Sequence, residues 1–158
     1  MINSQKSYPD LSSSIVLVTG ANGGIGFDIA SSALQAGAKV LATDLVIGAS
    51  LEKLKSNERL ISKAYDLQDD SQRNECIEWS NSLKVNVLVN NAAIFDMAPF
   101  LESNLEQYDR LFSVNVRAMF AMMQGIAKGL DSRKEKGSII NFSSQAGRRG
   151  EALVSHYC

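Results

Sequence analysis

The 158-residue sequence is short of cysteine (two), proline (two), tryptophan (one) and histidine (one), and carries almost no net charge, -1 at pH 7. Each shortage excludes something. Cys76 and Cys158 stand far apart and in no metal-ligand spacing, so neither a disulfide framework nor a metal centre is expected, and two free thiols suit a reducing compartment. With 16 Lys and Arg against 17 Asp and Glu there is no basic excess to neutralise phosphates, and duplex nucleic acid is not an expected partner. No apolar run approaches the roughly 20 residues that cross a bilayer, so no membrane partner is expected. Residues 1–14 contain no apolar core of a secretory leader, and the expected location is cytoplasmic. What is present is ordinary globular material: apolar residues make up 45% and charged residues 21%, too hydrophobic for a disordered chain and enough for a sizeable core.

Residues 1–10 read as a flexible N-terminal extension and 11–158 as one domain. Within that domain short apolar runs alternate with helical periodicity. Ile15–Val18 is a buried strand ending in Thr19-Gly20, and Ile25, Ile29, Ala30, Ala33 and Leu34 recur at helical spacing before Gly37 stops the helix. Val40–Ala42 forms a second strand ending at Asp44, followed by a short helix from about Ser50. Arg59–Tyr65 is a third strand ending at Asp66-Leu67, and Asp69, Asp70 and Ser71 offer caps for a helix carrying Cys76, Ile77 and Trp79. Val85–Val89 is a fourth strand, a long helix spans roughly Leu105 to Gly129, and Ser138–Phe142 is a fifth strand ending in Ser143-Ser144. This alternation predicts an α/β, doubly wound parallel sheet of Rossmann type, order 3-2-1-4-5, with helices on both faces. Ligands of such sheets bind at the carboxyl ends of the strands, so Thr19, Asp44, Asp66, Asn90, Asn91, Ser143 and Ser144 are expected on one rim.

Gly20, Asn22, Gly24, Ile25 and Gly26 lie in a strand-to-helix turn, with the glycines spaced G-x-x-x-G-x-G. Glycine there lets a pyrophosphate rest on the helix N-terminus, where free N–H groups and the helix dipole meet it. Asp44 follows Gly26 by 18 positions at the end of the second strand, where an acid accepts the adenosine ribose hydroxyls. It would repel a 2′-phosphate, and no Lys or Arg lies within residues 21–24 to attract one, so the expected cofactor is NAD. Asp66 and Leu67 could meet the adenine edge.

Taken together, Thr19-Gly20 through Gly26, Asn90-Asn91-Ala92-Ala93, Asn115, and Ser144 followed 13 positions later by Tyr157 resemble the ordered motifs of the compact short-chain dehydrogenases/reductases. The resemblance runs from about Leu11 to the end. Residues 92–99 and 144–153 also resemble the polyol (sorbitol-type) members. The resemblance implies a nicotinamide-dependent oxidoreductase acting on a small-molecule alcohol or ketone, a sugar alcohol for the polyol type. It implies that Ser144 holds the reacting oxygen, that Tyr157 exchanges its proton, and that Asn115 holds a relay water. It further implies that Asn91 and Ala92 pass the adenine side of the cofactor. An alcohol gives up hydride only as its proton leaves, which requires such a base, and the cofactor supplies the hydride chemistry. Gln145, next to Ser144, could reach a substrate hydroxyl.

The family motif places a lysine four positions after the tyrosine, and the sequence stops at Cys158. Taking tyrosine from its free pKa of about 10 to near 7 requires about 4 kcal/mol, much of which that ammonium would supply. The expectation is therefore an N-terminal fragment of a longer enzyme, with little turnover by itself and an exposed apolar edge at its fifth strand. Asn86 stands where the family often has an acid. His156 is expected in a non-catalytic surface or lining role, and Arg148, Arg149 and Glu151 in a polar loop. Met119, Phe120, Met122, Met123 and Ile126 read as core or as a subunit interface, since this helix commonly pairs between subunits in the family, making a homo-oligomer of the full-length parent the expected state. Two other readings stay open: a non-catalytic NAD(H)-binding or interaction module, and a reductase of other carbonyl substrates on the same fold.

Overall fold

The computed structural model describes residues 9–158, so the expected extension over residues 1–10 lies almost wholly outside the described residues; Pro9 and Asp10 are seen, both exposed. Five apolar runs form strands β1 (Ile15–Thr19), β2 (Lys39–Asp44), β3 (Leu60–Ala64), β4 (Val87–Asn90) and β5 (Ser138–Asn141). They make one sheet, all pairs parallel, in the expected order β3-β2-β1-β4-β5. Thr19 lies level with Thr43 of β2, and Asn90 of β4 with Asn141 of β5, so the carboxyl ends share one edge.

Side chains alternate across each strand, and in β1, β2 and β4 both sides are buried. Val16, Val18, Val40 and Ala42 pack under α1 (Gly24–Gln35) and α2 (Ala49–Glu52), through Ala30, Ala33, Leu34 and Leu51. Leu17, Leu41 and Leu88 face the opposite layer, where Cys76 comes from α3 (Asp70–Ser82) and Met122, Ile126 and Leu130 from α5 (Met119–Arg133). Fully burying one such leucine contributes about 2 kcal/mol. Helix boundaries follow the expected chemistry. Gly37, with φ +96°, terminates α1, and the Asp69 carboxylate caps α3 by accepting the Gln72 N–H at 2.8 Å.

The long helix differs from its expected form. It begins as α4 (Leu105–Phe112) under a reciprocal Asn104–Gln107 capping box, widens into a π-helical segment over Ser113–Ala118, and continues as α5 to Arg133. Asn115 sits in the wide segment, where its amide is bonded to the backbone of Ile94. A single wide turn scarcely disturbs the spacing of apolar residues, and for that reason the periodicity reads through it.

The sheet ends at β5. All four of its residues are exposed, as are Phe142 beyond it and the Ile139–Ile140 pair within it, as expected for an apolar edge. A four-residue helix, α6 (Ala146–Arg149), and a run of turns complete the described chain.

Candidate functional site

A cleft of about 550 Å³ opens at the carboxyl edge of the sheet. Its walls come from the β1–α1 turn (Gly20, Gly23), the end of β2 (Asp44, Leu45), the turn after β3 (Tyr65 to Gln68), the strand-end loop after β4 (Asn91 to Ile94), and Arg110 and Val114 of the long helix. Six predicted residues thus line one space: Gly20, Asp44, Asp66, Leu67, Asn91 and Ala92.

The glycines of the turn divide their work. At Gly26 a Cβ would lie 2.1 Å from the Gly20 carbonyl oxygen and 2.5 Å from the Asn91 amide nitrogen, so this position permits the helix to lie against β1 and the β4 loop. Gly20 has φ +64°, and its Cβ would fall 2.8 Å from the Ala92 Cα. In front of Gly23 and Gly24 the space is open. Gly23 is the N-cap of α1 and offers no side-chain cap, leaving the first amides of a 12-residue helix for an anion that can come close to the backbone.

The turn is braced from two strands. Asp44 accepts the Asn22 N–H at 2.8 Å through one carboxylate oxygen and the Leu45 N–H at 2.8 Å through the other. Asn22 in turn accepts the Gly48 N–H at 2.9 Å, tying the loop after β2 to the glycine turn. Thr19 is buried and accepts the N–H groups of Asn91 and Ala92 at 3.1 and 3.0 Å. The Asn91 amide donates to the carbonyls of Thr19 and Gly20, at 3.1 and 3.0 Å. Its side chain therefore holds the glycine turn at the wall of the cleft. Asn86 accepts the Ile15 N–H at 2.8 Å, an acceptor role that an amide fills as well as an acid.

Asn115 does not line the cleft; its amide accepts the Ile94 N–H and donates to the Ile94 carbonyl, both at 2.8 Å, and so fixes the cleft wall from behind. Ser144 lies beyond β5, its hydroxyl accepting the Ala146 N–H at 3.2 Å as the chain enters α6. Gln145, exposed, is the N-cap residue of α6. Tyr157 meets the Phe95 ring edge to face at 4.9 Å, one residue past the cleft wall at Ile94, and the Ala98 N–H donates to the Leu153 carbonyl at 2.8 Å. The C-terminal turns are thereby held against the loop that follows the cleft. Ile25 points elsewhere: it is 59% exposed and lines a separate apolar groove with Ile29, Val89 and Ile140.

Leu45, at the end of β2, lines the cleft without any signal in the sequence to mark it. Tyr65, Gln68, Arg110 and Val114 line it as well, and nothing in their spacing points inward. Arg110 is paired with Asp96 at 3.0 Å, and the Met97 N–H, assisted by Arg110 and Gln107, holds the Asp96 carboxyl below its usual range. His156 is buried and not on the surface: it is 7% exposed, and neither ring nitrogen has a hydrogen-bond partner among the described residues. Among the described residues no cluster of three metal-ligating side chains occurs, and no helix is long and apolar enough to cross a membrane.

Comparison with known proteins is consistent across sequence and structure. The sequence profile of the family described as "short chain dehydrogenase" matches residues 14–158. A sorbitol dehydrogenase of Cereibacter sphaeroides is 39% identical over 152 residues, covering 90% of this chain and 57% of that protein. A galactitol 2-dehydrogenase of Agrobacterium fabrum is 37% identical over 151 residues, covering 94% and 59%. An L-xylulose reductase of Bos taurus is 40% identical over 143 residues, covering 90% and 57%. Among solved structures, one from Beutenbergia cavernae with bound NADP aligns with a TM-score of 0.86 at 27% identity, over 94% of this chain and 61% of that one. A 4-hydroxyisoleucine dehydrogenase complexed with NADH aligns at 0.84 and 25% identity, over 91% and 60%. The chain spans less than two thirds of the length of each of these proteins.

Proposed function

The chain belongs to the short chain dehydrogenase family, and from that premise we propose that it is the dinucleotide-binding part of an NAD-dependent oxidoreductase interconverting a secondary alcohol, of the sugar-alcohol class, and its ketone. The observation that carries this reading is the meeting, in one cleft, of an uncapped helix start, an open glycine approach and an oriented carboxylate. The pyrophosphate would lie on the first amides of α1, the adenosine ribose on Asp44, and the adenine between Leu67 and the loop at Asn91-Ala92. Asp44 favours NAD because a 2′-phosphate would meet its charge; relatives of both cofactor types share the fold, so the choice rests on this side chain.

When bound, the nicotinamide supplies hydride acceptance and donation. The chain's own residues do the rest. Asn115 fixes Ile94, and with it the wall of the cleft. The Ser144 hydroxyl orients the reacting oxygen, with Gln145 toward a neighbouring hydroxyl, and the Tyr157 hydroxyl takes or returns the alcohol proton. The polyol assignment leans on the sorbitol and galactitol dehydrogenases among the relatives. A panel of polyols assayed with NAD, in a protein extended to the relatives' length, is expected to yield NADH from sugar alcohols. Activity confined to NADP and ketoesters would contradict the assignment.

The reading includes self-association of the full-length protein. Phe112, Val116 and Phe120 recur four residues apart on the long helix and all three are exposed, forming an apolar stripe suited to the same stripe on a second copy.

A further inference from the structure

The buried face of α3 is formed by Arg73, Cys76 and Ser80, at helical spacing. An arginine is a costly choice for such a face. Arg73 is 4% exposed, and a charge so deeply placed persists only when acceptors meet it; here both terminal nitrogens are met and Nε is not. Its acceptors are specific. One terminal nitrogen donates to the Leu67 carbonyl at 2.9 Å and lies 3.4 Å from the Gln68 carbonyl, while the other donates to the Asp70 carboxylate.

Leu67 and Gln68 belong to the turn that walls the cleft after β3. The same turn is tied at two further points: Asp66 donates its N–H to the Gln72 side-chain oxygen at 3.0 Å, and Gln68 donates its N–H to the Asp66 carboxylate at 2.8 Å. The first turn of α3 therefore grips this wall of the cleft, with Arg73 as its only cationic tie among the described residues. The Asp70 carboxylate is itself steadied by Arg117 of the π-helical segment, at 2.9 Å.

We propose that Arg73 is a positioning residue for adenine recognition: its buried guanidinium holds the Asp66–Gln68 turn in the shape that receives the base, without touching the ligand. This rests on the cofactor reading above and deepens it. A packing role alone would give a different signature. Loss of the guanidinium frees the turn, so it weakens ligands that carry adenine and spares those that do not.

The test compares AMP, NADH and nicotinamide mononucleotide, titrated calorimetrically against the unaltered chain, Arg73→Met and Arg73→Lys. Hydrogen bonds to a charged group are worth enough that Arg73→Met should weaken AMP and NADH roughly tenfold, with Arg73→Lys between the two. Nicotinamide mononucleotide should bind all three proteins alike. Circular dichroism melts identify the folded variants; if Arg73→Met does not fold, Arg73→Lys carries the comparison. Equal AMP binding by the variant and the unaltered chain would overturn this inference alone, as would an equal loss for AMP and nicotinamide mononucleotide. Failure of the unaltered chain to bind AMP and NADH would overturn the cofactor reading and this inference with it.

Discussion

The carboxylate of Asp44, at the end of β2, accepts the backbone N–H of Asn22 in the glycine turn at 2.8 Å. An acid expected to meet ribose hydroxyls is thus aimed before any ligand arrives, and the turn that would receive the phosphates is held by the same side chain. Orientation fixed in advance lowers the ordering cost of binding.

The two kinds of glycine should separate by mutation. Gly26→Ala forces a methyl group into the Gly20 carbonyl and the Asn91 amide, and should cost about 1–3 kcal/mol of stability, read from urea unfolding. Gly23→Ala points its methyl into open space from extended backbone, and should leave the unfolding midpoint near its original value. It should nonetheless weaken NADH roughly tenfold by obstructing the phosphate approach.

Asn115 should act through Ile94. Asn115→Ala removes both bonds to the Ile94 backbone and should cost about 1–3 kcal/mol, the penalty for a partly buried pair left unmatched. Hydrogen exchange at the Ile94 amide should accelerate in the variant while amides of β1 remain protected.

The two thiols should differ sharply. Burial, partly opposed by the neighbouring Ser80 and Thr43 hydroxyls, pushes the Cys76 thiol up to about 12, whereas Cys158 is exposed. Iodoacetamide at pH 8 should therefore add one label to the native chain, at Cys158, and two after denaturation, as mass spectrometry can count. Because the folded state favours the protonated thiol, its contribution to stability is complete below the ordinary thiol pKa of about 8.5 and is lost as pH rises through about 12.

The apolar stripe of the long helix makes its own prediction. Phe120 is 60% exposed, so Phe120→Asp should leave folding intact and shift sedimentation toward the monomer in a protein extended to the relatives' length. Unchanged sedimentation of an oligomer would place the interface elsewhere.

Much of this architecture could be read from the residues. Short apolar runs buried on both faces, each ending in a polar residue, specify parallel strands whose ends gather on one edge, and Asp44, Asp66 and Asn91 duly line one cleft. Caps were equally legible, because Asp69 and Gly37 act on their nearest neighbours along the chain. What depends on contacts between distant segments was not. The wide turn around Asn115 arises with a bond to Ile94, and the different duties of Gly23 and Gly26 depend on what lies opposite each. Ile25, placed in the phosphate turn by sequence, faces the groove on the sheet, because the first turn of α1 rotates it away from the cleft. The burial of Arg73 and of His156 likewise follows from tertiary placement that charge and polarity alone argue against.

The most direct test of the central claim is a fluorescence titration of NADH and NADPH against the unaltered chain and Asp44→Ala. The account predicts that the unaltered chain prefers NADH, and that Asp44→Ala loses roughly ten- to a hundredfold in NADH affinity while its discrimination against NADPH largely disappears. Equal NADH affinity in the two proteins, or a preference of the unaltered chain for NADPH, would contradict it.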